Sequence, residues 1–130
     1  MANPIVFRST HRIKDGKAAE YKELIQSVTK QLEQDKPGTV VHLSYFNEDE
    51  TEVTTIHVFP DAAAMDAHMG GVDDRVKKAA ELLEFKLYEV FGEPNEEALA
   101  VLEGTPGTTL THIPDFAGGY LRPGATQPAA

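Results

Sequence analysis

The chain has neither cysteine nor tryptophan. Without thiols there is no disulfide, no thiolate metal site and no cysteine nucleophile. Cations are also scarce: 12 Lys and Arg stand against 21 Asp and Glu, a net charge of −9. Nonspecific grip on nucleic acid or an anionic membrane needs a basic surplus, so neither partner is expected. No apolar run approaches the roughly 18 residues of a membrane span. Met1-Ala2-Asn3-Pro4 opens no basic segment followed by an apolar stretch, and the expected location is cytoplasmic.

At 130 residues with 41% hydrophobic side chains, the chain is of one-domain size and can bury a real core. Ile5 to Ile13 alternates as a strand does, with Ile5, Phe7, Ser9, His11 and Ile13 on one face. Val6, Arg8, Thr10 and Arg12 take the other. After Asp15-Gly16 a helix runs from about Lys17 to Gln34 on the apolar stripe Ala18, Tyr21, Leu24, Ile25, Val28 and Leu32. Pro37-Gly38 stops it. Strands Thr39 to Phe46 and Glu52 to Phe59 flank Asn47-Glu48-Asp49-Glu50, a polar linker of hairpin length. Asp61 is the expected N-cap of a second helix, which Gly70-Gly71 interrupts and which resumes from Val72 through Leu83. Phe85 to Phe91 reads as a fourth strand. Asn95 reads as the cap of a short helix through Leu102, and Thr108 to Ile113 as a marginal last strand.

The order β-α-β-β-α-β is the split βαβ plan, a ferredoxin-like α+β fold with an antiparallel sheet and its helices on one face. Nothing remains in so short a chain to cover the opposite face. A second copy is therefore expected to cover it, giving a homodimer through the sheet faces, a dimeric α+β barrel. Residues 1–113 are expected to form this single domain. Residues 114–130 are expected to be a Gly/Pro-rich C-terminal arm, packing on a neighbour through Phe116 and Tyr120 and fraying after Pro123. Gly118-Gly119 and Pro123 suit an arm that reaches the partner rather than a central strand.

His11-Arg-Ile-Lys-Asp-Gly-Lys17 with Glu20-Tyr21-Lys22-Glu23-Leu24 resembles the strand-to-helix entry of the antibiotic-biosynthesis-monooxygenase-like family. Lys36-Pro-Gly38 resembles its approach to the second strand. Thr55-Ile-His-Val-Phe-Pro-Asp-Ala-Ala-Ala-Met-Asp-Ala-His-Met69 is similar to its third strand and second helix. The likeness runs from about Ile5 to Met69; beyond Gly70 it extends to the general plan alone. It implies a dimer of ferredoxin-like subunits with a pocket between sheet and helices. It also implies a small oxidoreductase that needs no cofactor, acting on an aromatic or quinol substrate. The haem-degrading branch places Asn where this chain has Ser9, Trp where it has His68, and a haem-ligating His near Lys78. None of the three is present, which disfavours haem degradation. Arg8, Arg12 and Tyr45 are possible analogues of the quinone-oxidising branch's contacts.

His68 is the first catalytic candidate. Its helical stripe-mates Met65 and Val72 turn it from helix to sheet, where a neutral imidazole can hydrogen-bond a phenol or take its proton. Ser9, His11, His57, Phe59 and Tyr21 are candidate substrate contacts, with Phe7 and Tyr88 as further aromatic lining. His11, His42 and His57 lie on strands, and the sequence leaves their faces open. No His stands three or four residues from another and no H-E-x-x-H occurs, so no metal is expected. Arg122 is expected to be a free surface charge, though an arm reaching over a partner could set it against an anion. A non-catalytic ligand-binding or sensing homodimer is the alternative to the oxidoreductase. An isomerase, lyase or dehalogenase-like enzyme is a third reading, which the resemblance to dimeric barrels that carry out proton transfer implies.

Overall fold

Alternation in β1 (Ile5–Ile13) organises the molecule, for which a computed structural model describes residues 3–122. Ile5, Phe7, Ser9, His11 and Ile13 are all buried beneath the helices, and the residues between them face away. The sheet is built around this strand in the order β2-β3-β1-β4-β5. β2 (Val41–Phe46), β3 (Glu52–Phe59) and β4 (Leu83–Phe91) follow antiparallel rules. With helix α1 (Ala18–Asp35) and the pair α2 (Ala62–Met69) and α3 (Val72–Ala80), they form the expected ferredoxin-like unit.

Three details differ from the sequence reading. The second helix ends at Ala80, and Leu83 begins β4, where it pairs with Ile13 and is buried. The sheet is mixed rather than purely antiparallel. Helix α4 (Glu96–Glu103) carries the chain across and returns β5 (Thr109–Ile113) parallel to β4, on the chain's own sheet. Asn95 stands before α4, but its amide donates to the Asp66 carboxylate on α2 and ties the two helices together, so α4 has no side-chain cap and its Ala98 and Leu99 N–H groups bond the Asn95 carbonyl instead. Asp61 does cap α2, accepting from the Ala64 N–H at 2.8 Å.

The core has two parts. Ile5, Phe7, Phe59, Met65, Tyr88, Val90, Ala98 and Leu102 pack at one end of the helix side. Ile13, Tyr21, Val53, Leu82 and Leu83 pack at the other. Each fully buried large side chain contributes about 2–3 kcal/mol of transfer free energy, so these clusters carry the fold. Between them lies a gap filled by polar side chains. Gly92 locks the β4 end: its φ is +102°, and a Cβ there would stand 2.9 Å from the Pro4 carbonyl oxygen. Gly92→Ala is expected to destabilise the protein by about 1–3 kcal/mol, because strain and clash with backbone add. Urea unfolding of the variant checks this; an unchanged midpoint would refute it.

Residues 114–122 have no regular structure and are exposed throughout, including Phe116, Tyr120 and Leu121. The expected fraying after Pro123 lies outside the described residues. No helix among the described residues is long and apolar enough to cross a membrane.

Candidate functional site

The gap between the two core clusters is a chamber of about 130 Å³, roofed by α1 and α3 and floored by the sheet. Strand period brings one row of side chains to its floor: Ser9 from β1, His42 from β2, Thr55 and His57 from β3, and Tyr88 from β4. Tyr21 and Ile25 descend from α1, His68 from the last turn of α2, and Arg75 from α3. A wider open groove of about 1120 Å³ runs outside it, between α1 and the edge strand β2. His42 and Ile25 border both spaces, so the chamber and the groove adjoin there.

Three imidazoles meet in the chamber wall. The His57 ring centre lies 4.8 Å from that of His42 and 5.1 Å from that of His68, and His42 and His68 are 6.3 Å apart. The protein holds each by its Nδ1. His57 Nδ1–H donates to the Phe7 carbonyl at 3.0 Å, which leaves Nε2 of the neutral ring as an acceptor. His68 Nδ1 is paired with the Thr39 hydroxyl at 2.8 Å, and His42 Nδ1 with Thr29 at 3.3 Å. A hydroxyl can donate or accept, so these two rings can take either tautomer. Phe7 stacks on His57 at 4.7 Å and fixes its plane.

Burial keeps all three rings uncharged. His68 is lowered to about 3, first by burial and then by the charges of Arg75, His42 and Lys36. His57 lies well below the usual imidazole range, through burial and then the charges of His42 and His68. His42 is lowered by burial above all. Tyr21 is raised to about 12 by the same desolvation, so its phenol is a donor and not a phenolate. Among the described residues, no group of three His, Asp or Glu side chains is arranged to hold a metal ion.

Not every sequence candidate reaches the chamber. His11 is buried on the same sheet face but lies outside the chamber lining. Between Thr10 and His11 the β1–β4 register slips at a bulge, and the Lys86 N–H stranded there donates to His11 Nδ1 at 2.9 Å. That bond and a pKa lowered to about 4 by burial give His11 a structural task. Phe59 is sealed in the core beneath His68, with ring centres 5.1 Å apart, and does not line the chamber. Arg8 and Arg12 point to the opposite sheet face, where they pair with Glu89 and Glu84. Tyr45 shares that outer face and is exposed.

No protein-family model matches the chain, and no curated protein does. Solved structures do. MupZ from Pseudomonas fluorescens superposes with a TM-score of 0.64 at 19% identity, covering 95% of this chain and 98% of its own. SnoaB, a cofactor-independent oxygenase from Streptomyces nogalater, gives 0.60 at 18% identity, over 72% of this chain and 96% of its own. A proposed antibiotic biosynthesis monooxygenase from Bacteroides thetaiotaomicron gives 0.58 at 18% identity, over 68% and 85%. The chain has the antibiotic-biosynthesis-monooxygenase fold. Identities this low carry the fold and not the reaction.

Within that fold, the sequence reading overlooked two features of the site. Thr39, just before β2, orients His68. Arg75 is the larger omission: its Nη1 donates to the Gly70 carbonyl at 3.0 Å and its Nη2 to the His68 carbonyl at 2.6 Å. Its signal was helical spacing, since Arg75 precedes Val76 and stands one turn before Ala79, both on the chamber side. Gly71, at φ +81°, makes the turn that lets α3 fold back and bring the guanidinium there.

Proposed function

We propose that the chamber holds a planar phenol- or quinol-type ligand and that the protein is a small monooxygenase-like oxidoreductase working without a cofactor. The observation that carries this reading is the ring of three neutral imidazoles, held by their Nδ1 atoms in the wall of a small chamber that aromatic and aliphatic side chains also line. Such a wall suits a substrate that must lose a proton from a hydroxyl and then pass an electron to dioxygen. His68 is the proposed proton acceptor or donor. Ser9, His57 and Tyr21 are the proposed ligand contacts, with His11 and Phe59 acting from behind the wall. A neutral imidazole can orient a ligand hydroxyl and accept its proton.

The protein is proposed to work as a homodimer through the outer sheet face, with the arm 114–122 laid on the partner. Leu43 and Tyr45 are exposed there, beside Ile56 and Val58. In the arm, Phe116, Tyr120 and Leu121 have no apolar cover of their own.

A second reading, a non-catalytic ligand-binding homodimer, is favoured by one observation. With its pKa lowered to about 3, His68 is a feeble base. Oxygen uptake separates the two. With a panel of hydroxylated quinones and quinols, the oxygenase reading expects consumption by wild type and a fall of about 100-fold or more in His68→Ala. No uptake on any member would leave the binding reading standing. Unchanged uptake in the variant would remove His68 from the chemistry.

A further inference from the structure

The chamber contains an unanswered charge. Arg75 lines it and is only partly exposed, yet no Asp or Glu lines the chamber. Among the described residues Arg75 takes part in no ion pair, although the chain has 21 acidic residues and only 12 basic ones. Its two hydrogen bonds go to backbone carbonyls, which stabilise the cation without neutralising it. Of its five N–H donors, three are left for another partner. The imidazoles beside it cannot serve as counter-ions, because they are neutral or positive. Arg75 also bears on each of them, opposing a second positive charge on His42, His57 and His68.

A half-buried cation facing a small chamber of neutral donors and acceptors has one complementary occupant. We propose that Arg75 makes the chamber an anion site, selecting planar acids that bind in their ionised form, with the acidic oxygen toward the guanidinium. This rests on the reading of the chamber as the ligand site, but it does not require turnover. It also gives the weak basicity of His68 a purpose. A ligand that arrives ionised, or is ionised by the field of Arg75, needs hydrogen-bond donors from His68 and His42 more than it needs a strong base. Both rings can supply such a donor through their free tautomer choice, while His57 Nε2 accepts from any hydroxyl that stays protonated.

The competing role for Arg75 is structural, a clamp on the carbonyls where α2 gives way to α3. Selectivity between a charged and an uncharged ligand separates the two roles. The probe is dihydroxy-para-benzoquinone with its hydroxyls opposite one another, a vinylogous acid ionised at neutral pH. Its comparator is the corresponding dimethoxy ether, which has the same ring and no charge. Binding of each to the full chain is measured by calorimetric titration for wild type, Arg75→Gln and Arg75→Lys, with near-UV circular dichroism as the check on folding.

Wild type is expected to prefer the anion over the ether. Arg75→Gln should weaken anion binding by about 10- to 100-fold and leave the ether unchanged, while Arg75→Lys keeps part of the preference. Equal binding of anion and ether by wild type, or binding of neither, overturns the proposal. So does a glutamine variant that keeps the full preference. If that variant does not fold, the wild-type comparison and the lysine variant decide. A protein that binds the anion but consumes no oxygen sinks the oxygenase reading and leaves the anion site intact.

Discussion

Acidified from neutrality to pH 5, the protein is expected to lose about 4 kcal/mol of folding stability through His11 and His68 alone. In the unfolded chain both imidazoles titrate near 6.5, whereas in the fold burial holds them at about 4 and about 3. Above 6.5 neither state binds the proton and stability is at its full value. Below it the unfolded chain takes up protons that the fold refuses, so stability falls as pH falls toward the folded values. At pH 5 the difference is about 2 kcal/mol for each residue. His57 and His42 are lowered as well and push in the same direction. A domain of this size has about 5–15 kcal/mol in all, so the loss is a large share of it. Urea unfolding free energies at pH 7, 6 and 5 test this, and equal values at the two ends would refute it. His11→Asn sharpens the test, because an amide oxygen can still accept from the Lys86 N–H but has no proton to take up. Its stability should fall less steeply with acid than that of the wild type.

These histidines also mark where sequence reading succeeds and where it stops. Period-two alternation in Ile5–Ile13 and Glu52–Phe59 was enough to give each strand two faces, and Asp61 and Gly70-Gly71 bounded α2 by local rules alone. Which face met the helices was not legible for His11, His42 or His57, because imidazole is polar enough for either. Strand register decides it: Phe7 opposite His57, and His42 opposite His57, put all three on the helix side. The separation of His11 from the chamber was hidden more deeply. His11 stands two residues beyond Ser9 on β1, past the chamber, and its partner there is the Lys86 N–H freed by a one-residue bulge in β4 that no residue type announces. β5 was legible as a strand but not in direction, since parallel pairing to β4 depends on how α4 carries the chain across. The helical spacing that marked Arg75 was outweighed for a related reason. Its neighbours Asp73 and Asp74 suggest a solvated helix face, and only the turn at Gly71 rolls the guanidinium inward.

Ile56→Glu is expected to convert a two-chain particle into a single folded chain. Ile56 lies on the outer face of β3, opposite Leu43 on β2 and Arg8 on β1. In the single chain the new carboxylate stands in water beside the Arg8 guanidinium, so the fold should tolerate it. In the proposed homodimer the same carboxylate is buried against the partner's sheet, and symmetry places two of them there. A buried charge without a well-placed partner costs several kcal/mol, so association should weaken by about a thousandfold or more. Light scattering coupled to size exclusion reads the outcome, with circular dichroism confirming that the variant is folded. A wild type that runs as one chain at micromolar concentration would overturn the proposed dimer, and so would a variant that still pairs. The face itself argues for a defined register rather than loose adhesion. Its apolar part lies on β2 and β3, whereas β1 and β4 carry the two-pronged Arg8–Glu89 pair, with both bonds at 2.8 Å. Covering that pair is favourable only where its remaining donors and lone pairs are met, so one relative placement of the sheets is favoured over the rest. Stability of the wild type should then rise with protein concentration, and that of Ile56→Glu should not.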